Sequence, residues 1–172
     1  MMHMKRLLLS VLLCCIVSVF YYSSRGADAL SARPDSIVVF KEKHELCVYR
    51  HKALLKIYKV ALGLQPTGAK QVEGDMRTPE GLYYINGKNE HSLYHKSMGI
   101  SYPSAKDRAF AQQVGKRPGG EIKIHGLPNG QGYIGALHRL KDWTHGCIAL
   151  TDEEIDELFS KVAVGTPVNI LP

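Results

Sequence analysis

The 172 residues predict a β-dominated α+β domain: a two-sheet β-sandwich with two peripheral helices. Three observations predict it. Residues 36–40, 45–51 and 53–62 are runs rich in Val, Ile, Leu and Tyr, separated by charged turn residues, which is the pattern of an antiparallel meander. Ser104-Ala105-Lys106-Asp107 and Thr151-Asp152-Glu153-Glu154 are capping boxes, each opening a short helical pattern. Hydrophobic content is 45% and charged content 22%, ordinary for one globular domain with its own core.

Taken in order, residues 1–6 are short and basic, and residues 7–22 are apolar, broken only by serines. With Ala27-Asp28-Ala29 they read as a secretory signal peptide over residues 1–29, cut after Ala29. The alternative is an uncleaved anchor in an inner membrane, although the apolar run is shorter than the roughly 20 residues of a full span. A lipoprotein signal fits poorly, because Leu13 is large for the position before Cys14. Either leader places the domain in the periplasm. Residues 30–35, with Arg33-Pro34, read as a linker, and residues 36–172 as the functional domain.

Within that domain, residues 41–44 and 50–52 are turns, which makes His44 and His51 exposed turn residues. Residues 74–81 form a loop entering a strand over 82–86, with Thr78-Pro79 favouring extended backbone. Residues 86–94 are polar and irregular, with His91 and His95 solvated. Residues 97–102 form a strand with Met98, Ile100 and Tyr102 on one face. The first capping box opens a helix over 104–114 that stops at Gly115. Residues 121–125 make a short strand delivering His125 to its end. Residues 126–143 are a long glycine-bearing loop that covers a cleft. Residues 148–150 are a strand. The second capping box opens a helix burying Ile155, Leu158, Phe159 and Val162, with the acidic run 152–157 as dipole compensation and solvated face. Residues 168–171 are a last strand.

The chemistry concentrates in Trp143-Thr144-His145-Gly146-Cys147, read with His125-Gly126. Cysteine is a nucleophile only as thiolate, so it needs a base or cation beside it and some access. Gly146 removes the Cβ that would crowd an incoming acyl group, and it allows successive backbone N–H groups to point one way, as an oxyanion site requires. The base precedes the thiol in the chain, the reverse of the papain-like order.

These residues resemble the signature of the YkuD-type L,D-transpeptidases, bacterial enzymes of cell-wall peptidoglycan. Residues 74–85, Gly-Asp-Met-Arg-Thr-Pro-Glu-Gly-Leu-Tyr-Tyr-Ile, resemble a second block of the family, and the likeness runs over residues 35–172. The resemblance implies acyl transfer through a thioester on Cys147, with His125 as proton acceptor and donor. It also implies that the Gly126 carbonyl orients His125 and that peptidoglycan is the partner. Backbone N–H groups of His145, Gly146 and Cys147 would then hold the oxyanion, with Thr144 and His145 shaping the site. Tyr102, Arg139, Asp142 and Trp143 are substrate-contact candidates by neighbourhood. No cofactor and no metal is implied. Many members carry Arg two residues after the cysteine, where this chain has Ala149. That departure is similar to the short Gram-negative branch, some of whose members cleave wall-linked bonds, which adds a wall-linked lipoprotein as a partner.

Other readings stand beside this one. Cys47 and Cys147 could form a disulfide, although Cys47 fits a buried strand position. His125, His138, His145 and Cys147 could bind zinc, although their spacing matches no standard finger and His138 otherwise reads as an exposed loop residue. A wall hydrolase using water as acceptor, or a non-catalytic wall-binding module, could carry the same fold. The net charge of +6 suits an anionic polymer. Nucleic acid is disfavoured, because no basic run or aromatic-basic stripe occurs.

Overall fold

Alternation sets the first strands. The computed structural model describes Leu30 and residues 32–172; the leader expected over 1–29 lies outside the described residues. The described strands and helices all belong to one unit, Ala32–Pro172. β1 (Ser36–Phe40) buries Ile37 and Val39, and β2 (Glu45–Arg50) buries Leu46 and Val48. β3 (Ala53–Lys59) returns antiparallel to β2 across a bulge at Val48/Tyr49. β4 (Gly81–Ser92), β5 (His95–Ile100), β6 (Lys123–His125), β7 (Ile148–Ala149) and β8 (Pro167–Leu171) complete eight strands in the order β3-β2-β1-β8-β4-β5-β6-β7.

β4 turns this order into two layers. Gly81–Tyr84 pairs with β8, and from Ile85 onward the same strand pairs with β5. The two ends of the order also meet. After β3 the chain bridges Ala61 to Ala149 and Gly63 to Thr144, so the segment carrying the nucleophile candidate is hydrogen-bonded on that flank too. Between the layers lie Val60, Leu62, Ile85, Met98, Ile100, Ile124, Ile148, Leu150, Val168 and Ile170, all buried. Each contributes about 1.5–3 kcal/mol by burial.

Both helices form where the capping boxes place them. α1 (Ala105–Gln113) starts at N-cap Ser104, with Asp107 returning the bond, and buries only Ala111. α2 (Asp152–Lys161) starts at N-cap Thr151 with Glu154, and buries Ile155, Leu158 and Phe159.

Four expectations change. Residues 86–92 continue β4 rather than forming irregular chain: they are mostly exposed, so no apolar alternation marks them, and the ladder to β5 supplies their regularity. β6 begins at Lys123, because Glu121 sits at φ 58. The strand expected through residue 62 ends at Lys59, beyond which only isolated bridges persist. The loop 126–143 contains 3-10 turns over Gly132–Leu140, broken at Gly135. Among the described residues no helix is long and apolar enough to cross a membrane.

Candidate active site

β6 and β7 run parallel, with Ile124 opposite Ile148 and His125 opposite Ala149. That register brings the end of one strand alongside the residue that starts the other, so His125 and Cys147 line one cleft of about 330 Å³. The His125 backbone is pinned from both sides, by Ser97 of β5 in register and by the Leu150 N–H donating to its carbonyl at 2.9 Å.

The imidazole is 3% exposed. Its Nδ1 donates to the Gly126 carbonyl at 2.7 Å. A carbonyl only accepts, so Nδ1 carries the proton and Nε2 keeps a lone pair. Tyr94 packs on one side of the ring at 4.5 Å between centroids, and Trp143 meets it edge-on at 5.8 Å. Burial pushes the His125 pKa down to about 4, against the smaller upward pull of Gly126, so the ring is neutral at ordinary pH.

Cys147 is a free thiol whose Sγ lies 3.5 Å from the Glu121 carbonyl. Burial pushes its pKa above the ordinary thiol range, opposed by the Lys123 backbone N–H. At rest the pair is therefore thiol and imidazole rather than an ion pair. Cys47 is also free, buried in β2, so no disulfide joins the two.

The turn holding Cys147 is built on Thr144 and Gly146. Thr144 Oγ1 donates to the Cys147 carbonyl at 2.8 Å and accepts from the Gly146 N–H at 3.1 Å. The Gly146 N–H is thus engaged, which removes it from the expected oxyanion donors. The N–H groups of His145 and Cys147 carry no hydrogen bond among the described residues. Gly146 sits at φ 121, and a Cβ there would stand 2.5 Å from the Arg77 carbonyl oxygen. The segment 70–80 therefore lies against the back of this turn. It is fixed by Lys41 Nζ to Thr78 O and Glu80, by Gly63 N–H to Thr78 Oγ1, and by Lys70 to Asp75.

The structure brings His125, Trp143, Thr144, His145 and Cys147 together around the cleft. Tyr102, Arg139 and Asp142 do not line it. The Tyr102 hydroxyl donates to the Pro118 carbonyl, Arg139 pairs with Glu154, and Asp142 accepts from His44 and from the Leu62 N–H. Three histidines also differ from expectation: His95 opens β5 with its ring on Asp156 instead of standing solvated in a loop. His44 is tied to Asp142 instead of standing free in its turn. His138 is buried, with Nδ1 accepting from the Trp143 indole N–H at 3.3 Å, because the 3-10 turns fold it inward. The acidic run is an anchor line more than a solvated face. Asp152 holds Leu127 N–H, Asp156 meets His95 and Lys96, and Glu157 meets Lys56 and Tyr58.

Sequence reasoning missed one wall of the cleft. Asn89 and residues 91–94, at the tip of the β4–β5 hairpin, form it beside His125, and of the 126–143 loop only Trp143 reaches the cleft with His125 itself. The available signal was Leu93-Tyr94, an aromatic-apolar pair standing inside a polar stretch. Among the described residues no group of three or more His, Cys, Asp or Glu could hold a metal ion.

Residues 34–170 match the family model YkuD, described as the L,D-transpeptidase catalytic domain. YafK of Escherichia coli (strain K12), which carries the L,D-transpeptidase name, is 32% identical over 146 residues, 81% of this chain and 52% of its own length. YqjB of Bacillus subtilis (strain 168), similarly named, is 28% identical over 148 residues, 84% of this chain and 75% of its own. The helical cell shape determining protein Pgp2 from Campylobacter jejuni superposes with a TM-score of 0.59 at 24% identity, over 88% of this chain and 54% of that one. A mutant L,D-transpeptidase from Enterococcus faecium superposes at 0.54 with 20% identity, over 81% of this chain and 50% of that one. At these identities the structural likenesses show the fold. The chain spans about half the length of YafK and of Pgp2.

Proposed function

Since the chain belongs to the YkuD family of L,D-transpeptidase catalytic domains, we propose that it is an exported enzyme that transfers acyl groups of peptidoglycan stem peptides through a Cys147 thioester. The observation that carries this reading is the shared cleft. It holds a free thiol and an imidazole whose Nδ1 is committed to the Gly126 carbonyl, which leaves Nε2 as the one basic nitrogen.

Cys147 Sγ bonds to the substrate carbonyl carbon as its proton passes to His125 Nε2. The tetrahedral oxyanion is met by the unengaged N–H groups of His145 and Cys147, each donor contributing about 3 kcal/mol. The C–N bond breaks, and the imidazolium returns its proton to the leaving amine. An acceptor amine then attacks the thioester carbonyl and gives its proton to His125. The C–S bond breaks, and sulfur recovers the proton. The neutral resting pair suits this sequence, because charge develops only when a carbonyl is present to use it.

Water in place of the acceptor amine would make the same chain a hydrolase, with a free carboxylate as product. Purified protein incubated with muropeptides and read by mass spectrometry tests the proposal. Crosslinked dimers that vanish with Cys147→Ala support transfer, and trimmed monomers support hydrolysis. Wall binding without either product would leave a binding module and end the proposal. Export by residues 1–29 to the periplasm is part of the same reading, and cell fractionation of a tagged chain tests it.

A further inference from the structure

The Gly126–Leu127 peptide unit, one residue beyond His125, is gripped at both ends. Its carbonyl, that of Gly126, accepts from His125 Nδ1 at 2.7 Å. Its N–H, that of Leu127, donates to Asp152 Oδ1 at 2.8 Å. In a planar trans peptide the C=O and N–H point in opposite directions, so the two bonds run along one dipole. Successive hydrogen bonds of this kind polarise one another, and a carboxylate on the N–H makes the carbonyl a stronger acceptor. Two glycines make room for that carboxylate. A Cβ on Gly126 would stand 2.7 Å from Asp152 Oδ1, and one on Gly132 would collide with Oδ2. Asp152 is also the first residue of α2, where the helix field favours negative charge.

We infer that Asp152 is a positioning residue for His125: acting through the Gly126–Leu127 peptide, its carboxylate fixes the imidazole tautomer and strengthens Nε2 as the base toward Cys147. The relay resembles a thiol–imidazole–carboxylate arrangement with one peptide unit inserted between imidazole and carboxylate, and no proton crosses that unit. The inference rests on reading His125 as the base.

Other charges face the same carboxylate. His95 Nδ1 of β5 lies 3.9 Å from Oδ2, and its Nε2 is held by Asp156, which also meets Lys96. His138 lies within electrostatic reach from the 3-10 turns, while neighbouring Arg139 is turned to Glu154. Leu127 N–H is thus the one short hydrogen bond to Asp152 among the described residues.

The test follows acylation of Cys147 by a carbapenem, by mass and by rate, across pH in the full chain. The conservative variant is Asp152→Asn, which keeps an oxygen for the Leu127 N–H and removes the charge. The expected result is a rate about tenfold lower, a small part of the 10²–10⁴ that a general base supplies. The acid limb of the profile should move to lower pH, a shift that a loss of stability alone would not produce. An unchanged rate and limb would overturn the inference. A slower rate with an unmoved limb would overturn it too, because it would leave Asp152 only a loop anchor. If the variant fails to fold, NMR on the unmodified chain decides. The His125 Nδ1–H and Leu127 amide protons should both lie far downfield at neutral pH, and ordinary shifts for the pair refute the relay. A wild-type protein that never acylates on Cys147, or a His125→Ala variant acylated at full rate, would instead sink the reading of the site itself.

Discussion

On one side of the cleft, side chains hold His125: the Tyr94 and Trp143 rings pack on the imidazole, and Asp152 reaches the peptide beyond it. On the other side, backbone lies on backbone. Gly146 rests against the Arg77 carbonyl and Gly63 against the Met76 carbonyl, with the Thr144 and Thr78 hydroxyls and the tip of Ile122 beside them. Side-chain walls yield by rotation, whereas a carbonyl fixed in a braced loop does not. The histidine side is therefore open to tuning by substitution, and the cysteine side is kept or lost.

The glycines on the two sides test this most severely. Gly146→Ala adds a methyl 2.5 Å from a backbone oxygen at a φ of 121. Strain and overpacking together should cost roughly 4 kcal/mol and abolish thioester formation. Gly126→Ala meets only the side chains of Asp152, Ile155 and His95, at 2.7 Å and beyond, and should cost about 1–2 kcal/mol. Denaturant midpoints of the two variants check the order, and equal losses would erase the contrast.

Proton linkage comes next in size. Burial pushes His125 down to about 4, below the 6.5 of the unfolded chain. Between those values the unfolded chain takes up the proton more readily. The contribution is whole above the unfolded value and is lost as pH falls through the folded one. It amounts to roughly 3 kcal/mol. His138 is pushed the same way, first by burial and then by Arg139. Stability should therefore fall steeply as solutions are taken from neutral toward pH 4. His125→Gln should flatten that slope by about half, since His138 remains. On the cysteine side the shift is opposite. Cys147 is raised by burial, so its share is lost only as pH rises past the ordinary thiol range. Denaturation series in acid and in alkali separate the two sides.

What the sequence made legible depends on how local each signal is. The capping boxes at Ser104 and Thr151 place both helices, because a cap is decided within four residues. His125 and Cys147 were legible from their glycine neighbours. The β4 extension was not, because an exposed hairpin has no buried face to write a period into the chain. Asp142 and Arg139 stand next to the site in sequence, yet they bond away from the cleft, to His44 and Glu154 respectively. Direction of a side chain across a fold is set by tertiary partners that no neighbouring residue announces. Asp152 shows the converse: it reads as a helix-start charge and reaches Leu127 because the β6 register brings the loop over it.

Thr144→Val removes both bonds of the hydroxyl and leaves the buried Gly146 N–H unpaired, at a cost of about 2 kcal/mol. Acylation should fall further than stability alone explains, because the turn presenting Sγ loosens. Thr144→Ser restores both bonds and should recover the rate. A valine variant that is destabilised but acylates normally would show that the glycine contacts alone hold this side.

The gentlest change falls on the histidine side. Trp143→Phe keeps an aromatic ring against His125 and Tyr94 but deletes the N–H that reaches His138 Nδ1. With His138 buried and no other bond to that nitrogen among the described residues, the loss should be about 1 kcal/mol. The phenyl ring is smaller and no longer held at its far edge, so the imidazole gains freedom without losing its carbonyl partner at Gly126. Acylation should slow a few-fold, with the acid limb unmoved, because packing changes while the charge around His125 does not. Adding His138→Phe should cost no more rate, since the bond between the two rings is already gone. A limb that moves with Trp143→Phe would mean that the ring's polarity sets the base, and side-chain packing would no longer be what distinguishes this wall from the one across the cleft.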